Sequence, residues 1–300
     1  MKKTEQNPLL KTVFELANKI ERESKDVTIN WSRIIELVDE IKKQNISIEP
    51  SETDLRPEEC EVECANELYA GAINYCYWYG KFDVRPNGCS ATKMHKLVQE
   101  TYDLNDAMII FSPEYAEKLA ENLAIARFPL LEERRRHLLE VAKDGKINGK
   151  ANGEPFVYLV RVYQDDFNYL FTKMIRLFPG YASDMFLKKA SLYFLTLYRR
   201  FGWFKKDLWQ LPVPADYQVP RVLNKLGCIT YSSELKTDIA NHILIPKHSL
   251  RECGIRAATI KVCQYLVEMT GYNIAEIDWW LWSKRKECDG PFHLTITTDY

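Results

Sequence analysis

Leu9-Leu10-Lys11-Thr12-Val13-Phe14-Glu15-Leu16-Ala17-Asn18-Lys19-Ile20 sets its apolar residues three and four apart, and that spacing decides the class of fold. Leu9, Leu10, Val13, Phe14, Ala17 and Ile20 fall on one face of a helix. Trp31, Ile34, Ile35, Val38 and Ile41 repeat the pattern in a second. Most of the chain behaves in the same way, and strand-like alternation is scarce. The expectation is a mostly α protein, a single globular helical domain over residues 1–300 made of two packed lobes, with room for one short β-hairpin.

Outward from these helices, the polar stretch Gln44 to Glu59, with Pro50 and Pro57, separates them from a third helix predicted over Cys60 to Tyr79. Ser112-Pro113-Glu114 and Pro129 mark further helix starts. Phe156 to Phe178 reads as one long buried helix. Between these, Asp144 to Glu154 holds three glycines in eleven residues and is the expected lobe boundary. Gly227 ends a helix, and Ser249-x-x-Glu252 and Asn273-x-x-Glu276 have the spacing of reciprocal caps.

The 41 basic and 42 acidic residues nearly cancel, which argues against a protein that wraps a nucleic acid duplex. The longest nearly apolar stretch, Ala190 to Tyr198, is too short to span a bilayer, and Met1 to Lys11 lacks the apolar core of a secretory signal. A cytoplasmic protein with no membrane partner is expected. The eight cysteines then read as free thiols, and Cys60 and Cys64 have no nearby histidine to complete a zinc site.

Phosphate-loop, dinucleotide, zinc-protease and nucleophile-elbow patterns are all missing from the chain. Three segments are nevertheless odd for plain helical packing. Asn74-Tyr75-Cys76-Tyr77-Trp78-Tyr79 is either a corner of the core or a wall on which a planar base stacks, with Asn74 reading its edge. Pro212-Val213-Pro214-Ala215-Asp216-Tyr217-Gln218-Val219-Pro220 fixes the backbone around one carboxylate, either as a helix cap or as a preorganised catalytic group. Asp278-Trp279-Trp280-Leu281-Trp282 has more tryptophan than one helix face needs, and Pro291-Phe292-His293-Leu294-Thr295 with Tyr300 follows it. Arg134-Arg135-Arg136-His137, flanked by Glu132, Glu133 and Glu140, reads as a solvated helix face.

Taken in order, Asn74 to Trp78, Phe178-Pro179, Lys188-Lys189-Ala190, Asp216-Tyr217-Gln218-Val219-Pro220, Ile255-Arg256-Ala257, Leu281-Trp282 and Pro291-x-His293-x-Thr295 resemble the queuosine salvage proteins. The resemblance implies a helical fold akin to the helix-hairpin-helix DNA glycosylases. It also implies hydrolysis of queuosine 5′-monophosphate to release queuine for tRNA modification, with no metal or other cofactor. Its ligand is a small nucleotide, and no stable nucleic-acid partner is expected. Asp216 is the implied catalytic carboxylate. Asn74, Tyr77, Trp78, Tyr217, Thr196 and Trp282 are assigned to the base, and Lys188, Lys189, Arg256 and His293 to the phosphate and ribose. Lys188 and Lys189 are neighbours on a helix, so only one of them is expected to point into the site.

Two stretches depart from the implied pattern. Ser191 and Thr196 stand where glutamine and then an acidic residue are expected, and Gly254 stands in place of a glutamate before Ile255-Arg256-Ala257. Such losses would change which edge of the base is read. Two other readings therefore stay open, a repair-type glycosylase acting on DNA or another nucleotide and a non-catalytic module binding a modified nucleotide. Under the first of these, Leu226-Gly227-Cys228-Ile229 is a degenerate hairpin and Asp238 a rival carboxylate, although Lys236 and Asn241 beside it suggest a solvated face.

Overall fold

The structure is a computed structural model that describes residues 5–52, 54–80, 83–84, 88–101, 111–146 and 155–300. Its helices are α1 (Pro8–Glu23), α2 (Trp31–Lys42), α3 (Pro57–Ala72), α4 (Ala91–Thr101), α5 (Pro113–Ile125), α6 (Leu131–Lys146), α7 (Phe156–Val162), α8 (Phe167–Leu177), α9 (Pro179–Ala182), α10 (Lys188–Phe201), α11 (Gln218–Lys225), α12 (Ser233–Ala240), α13 (Leu250–Thr270) and α14 (Ile274–Ser283). Strands β1 (Val27–Ile29) and β4 (Ile229–Tyr231) pair antiparallel, with Val27 opposite Tyr231. A second antiparallel pair joins β2 (Trp78–Gly80) to β3 (Asp83–Val84) and supplies the short hairpin.

Sequence spacing explains the helices that carry the core. Leu10, Val13, Ala17 and Ile20 of α1 and Ile34, Leu37, Val38 and Ile41 of α2 are buried, whereas Leu9 and Ile35 at the edges of the two stripes stay exposed. Both helices pack against α13, from the far end of the chain, and α11 and α14 join them there. Helices α4, α6, α7 and α10 gather around α3, and α10 also touches α14, so the two groups meet along α10. α13 is buried on nearly every side, as expected of a central helix.

The expected helix starts are present. Ser112 caps α5, Ser249 caps α13, and Asn273 with Glu276 forms the full reciprocal cap of α14. Glu252 reaches back to the amide of His248 rather than to that of Ser249. Gly227, at φ +77, closes the turn after α11, where a residue bearing a Cβ would be strained. Leu226 to Ile229 thus leads from α11 into β4, whose partner β1 lies near the amino terminus.

Three expectations are corrected. The third helix stops at Ala72 rather than Tyr79, and residues 74–77 run on irregularly into β2, because buried partners take up the carbonyls that a helix would have used. The span Phe156 to Phe178 is two helices, since Asp166 caps α8 by accepting the amide of Tyr169 and breaks the continuity. The run 134–137 is no solvated face, for Arg134 and His137 are buried and only its middle lies outward. Most of the glycine-rich span expected as a lobe boundary, residues 147–154, lies outside the described residues. None of the eight cysteines forms a disulfide, and all are buried. Among the described residues, no helix is long and apolar enough to cross a membrane.

Candidate active site

A cleft of about 720 Å³ opens where α3, α4, α10, the proline-rich segment and α14 meet. That volume is in the range of small-molecule sites. Lys188, Leu192, Thr196 and Arg199 line it from α10 at intervals of four, four and three residues, a single helix face. Asp278 and Trp282, four residues apart, do the same from α14, and Asn74, Pro214, Asp216 and Tyr217 come from irregular backbone.

Asp216 owes its place to local chemistry. Pro212, Pro214 and Pro220 restrict the backbone around it, and its Oδ1 accepts the amides of Gln218 (2.7 Å) and Val219 (3.2 Å) at the start of α11. The cap reading and the catalytic reading are therefore compatible, because the bonds that start the helix also hold the carboxylate in the cleft. Burial pushes its pKa above the usual carboxylate value, against the pull of Lys188 and of those two amides. Burial likewise brings Lys188 down to about 8, partly offset by the charges of Asp216 and Asp184.

A buried ion pair sets the spacing of these two groups. Arg256 is fully buried and its guanidinium grips Asp184 at 2.9 and 2.6 Å, while its Nε donates to the Ala215 carbonyl at 2.9 Å. Asp184 also accepts the amides of Phe186 and Lys188, and thereby starts α10. Burial alone would raise the Asp184 carboxyl, but Arg256 beside it holds the value below the usual one. One ion pair thus anchors the residue before Asp216 and the backbone of Lys188.

Six of the eleven residues assigned from sequence line the cleft, namely Asp216, Asn74, Tyr217, Thr196, Trp282 and Lys188. The other five stand behind it. Tyr77 is buried and donates its hydroxyl to Asn74 Oδ1 at 2.8 Å. Trp78 is buried edge-on against Tyr217, with ring centres 5.0 Å apart. Lys189 turns to the Ala72 carbonyl and the rings of Tyr75 and Tyr181, so Lys188 is the lysine of that pair that faces the site. Arg256 is committed to Asp184. His293 is buried against Tyr300 and, with its pKa brought down to about 3 by burial, is a neutral ring with no charge for a phosphate.

Charged and titratable residues that sequence reasoning did not assign also line the cleft: Glu67, His95, Lys96, Arg199, Asp278 and Arg285. Arg199 pairs with Asp278 across the α10–α14 contact. Helical spacing from Lys188 and from Trp282 could have found these two, whereas nothing local marks His95 or Glu67. The tryptophans divide by face. Trp280 is buried with its Nε1 donating to Gln44, while Trp279 and Trp282 stack at 5.2 Å beside the cleft and Arg285 covers Trp282. Gly254 is not among the residues lining the cleft, and a Cβ there would clash with Ser24 Oγ, so a glutamate at this position would require Ser24 to shift. Asp238 pairs with Arg251 and is not among the lining residues.

Helical folds that place a carboxylate and a lysine in a nucleotide-sized cleft can serve several chemistries, and comparison with known proteins narrows the choice. Residues 64–298 match the family model described as queuosine salvage protein, and the chain belongs to that family. A protein of Sphaerobacter thermophilus named queuosine 5′-phosphate N-glycosylase/hydrolase is 30% identical over 77% of this chain and 74% of its own length. One of the same name from Schizosaccharomyces pombe is 22% identical over 92% of this chain and 91% of its own. A third, from Dictyostelium discoideum, is 32% identical over 41% of this chain, a stretch that spans 44% of that protein.

Proposed function

We propose that this protein hydrolyses the N-glycosidic bond of queuosine 5′-monophosphate and releases queuine. The observation that carries the reading is Asp216, a carboxylate held by two backbone amides in a nucleotide-sized cleft that it shares with Lys188. The family and the names of these relatives support the same substrate.

In this reaction the bond between C1′ and the base nitrogen breaks and its electron pair leaves with the base. Positive charge develops on the ribose. Asp216 stabilises that charge and orients a water whose oxygen adds to C1′, while the water's proton balances the charge on the departing base. The products are queuine and ribose 5-phosphate. Because burial raises the Asp216 pKa, its anion is poorly hydrated and stabilises a nearby cation more strongly than a solvated carboxylate would. The Arg256–Asp184 pair keeps the anion and Lys188 at a fixed separation. Tyr217 and the Trp279–Trp282 stack offer the aromatic surface for the flat base, and Tyr77 and Trp78 support it from behind. The phosphate is met by cations that line the cleft, Lys96, Arg199 and Arg285, in place of the buried Lys189, Arg256 and His293. A free nucleotide fills such a site, and no nucleic-acid groove is required.

The test is base release from queuosine 5′-monophosphate, queuosine and guanosine 5′-monophosphate, followed by chromatography with mass detection. Release of queuine from the first alone is expected. No release from any of them, with a ligand-induced rise in melting temperature, would make the protein a binding module instead.

A further inference from the structure

Residues 73–77 cross from α3 to β2 without regular structure, and one side chain holds most of their path. Arg134, on α6, is fully buried and pairs with no carboxylate among the described residues. Its guanidinium donates instead to the carbonyl of Ile73, to those of Tyr75 (2.6 Å) and Cys76 (2.7 Å), and to that of Pro129 (2.7 Å). The ring of Tyr75 lies 4.5 Å from it, with Phe128 and Tyr77 slightly farther. A buried cation is costly unless its donors are all met. Here carbonyl dipoles, including that of the residue capping the carboxyl end of α3, and aromatic faces meet them. Cys76 is held at φ 31, which side-chain-bearing residues rarely adopt, and its amide donates to the Tyr300 carbonyl at 2.9 Å.

Asn74 sits between the clamped carbonyls and is the one residue of 73–77 that lines the cleft. Its Oδ1 accepts the Tyr77 hydroxyl, its side-chain N–H groups meet no partner among the described residues and can donate to a ligand, and its carbonyl accepts Lys188 Nζ at 2.9 Å. We infer that Arg134 is a positioning residue for substrate recognition: by gripping the backbone on both sides of Asn74, it aims that amide donor at an acceptor on the base or ribose. The ligand's identity rests on the reading proposed above; the clamp itself does not.

The experiment uses the whole chain as Arg134→Lys, Asn74→Ala and the double variant, since a lysine cannot span four carbonyls. Arg134→Lys is expected to speed hydrogen exchange of the amides at 74–78 selectively. It is also expected to raise KM for queuosine 5′-monophosphate roughly tenfold, the scale of one lost hydrogen bond, with kcat little changed. Asn74→Ala should raise KM equally, and the double variant should be no worse than Asn74→Ala. Tyr77→Phe, which keeps the clamp and removes the hydroxyl that holds the Asn74 side chain, should raise KM by about two- to fivefold.

A lower melting temperature in Arg134→Lys with unchanged KM would overturn the inference, as would a KM increase added on top of that of Asn74→Ala, or an unchanged KM in Tyr77→Phe should Arg134→Lys fail to fold. If the wild type releases no base from any nucleotide, the functional reading falls. Exchange at 74–78 then decides the clamp: selective acceleration upholds it and unchanged exchange sinks it.

Discussion

Two segments stand out in the sequence for the same reason, an excess of conformationally demanding residues around one polar group, and they resolve in opposite ways. In 212–220 the prolines, the carboxylate and the helix it starts are neighbours in the chain, so the carboxylate is held directly by its own segment, with Arg256 adding a brace only at the neighbouring Ala215 carbonyl. In 74–79 the aromatics mostly turn into the core, only Asn74 lines the cleft, and its path is fixed by Arg134 some sixty residues away. A site residue held locally is legible in one sequence. A site residue held from a distance is not.

The largest effect should separate the two segments. Asp216→Asn keeps an oxygen for the two amides but removes the charge, so kcat is expected to fall by roughly 10³ or more in base-release assays while Asn74→Ala acts on KM. Next comes the ion pair that ties Ala215 to the start of α10. Asp184→Asn leaves Arg256 buried with Glu252, 3.5 Å away, as its remaining counter-charge, and is expected to cost about 3 kcal/mol in denaturant unfolding. Turnover should fall with it because Asp216 and Lys188 lose their common anchor.

The pH dependence is smaller and has a definite sign. Asp216 must be ionised, and its raised pKa makes kcat/KM decline, as pH falls, at a higher pH than an ordinary carboxylate would. Lys188, brought down to about 8, loses its charge above that pH and should give an alkaline limb there that Lys188→Met removes. A profile flat across both regions would separate these residues from the chemistry. Smaller again, Arg285→Ala should reduce the preference for the monophosphate over the nucleoside several-fold, as expected for one partly exposed cation. The smallest effect on activity is at Gly254, where Gly254→Ala drives a methyl into Ser24. It is expected to destabilise by about 1–3 kcal/mol with kcat and KM unchanged.

The helical class, the caps at Ser112, Ser249 and Asn273, the free cysteines and the position of Asp216 were legible because each depends on residues within a few positions of one another. The choice between Lys188 and Lys189 followed from helical geometry in outline but not in direction. Arg134 was misread as part of a surface, and Arg256 and His293, assigned to the ligand, are not among the lining residues, for a common reason. Each is a titratable residue whose partner, a carbonyl, Asp184 or Tyr300, lies elsewhere in the chain, and a charged or titratable side chain with an unseen partner reads as a surface or ligand group. His95 and Glu67 reach the cleft only because α3 and α4 pack together, which no local pattern records.

The central claim is that Asp216 performs the chemistry in a cleft that other residues build. Mixing Asp216→Asn with queuosine 5′-monophosphate, and following both the heat of binding and the release of base, tests it most directly. The expected result is binding within a few-fold of the wild-type KM, with no queuine released over many wild-type turnover times. Queuine released at the wild-type rate would move catalysis to another carboxylate, and a loss of binding would make Asp216 a structural cap and no more.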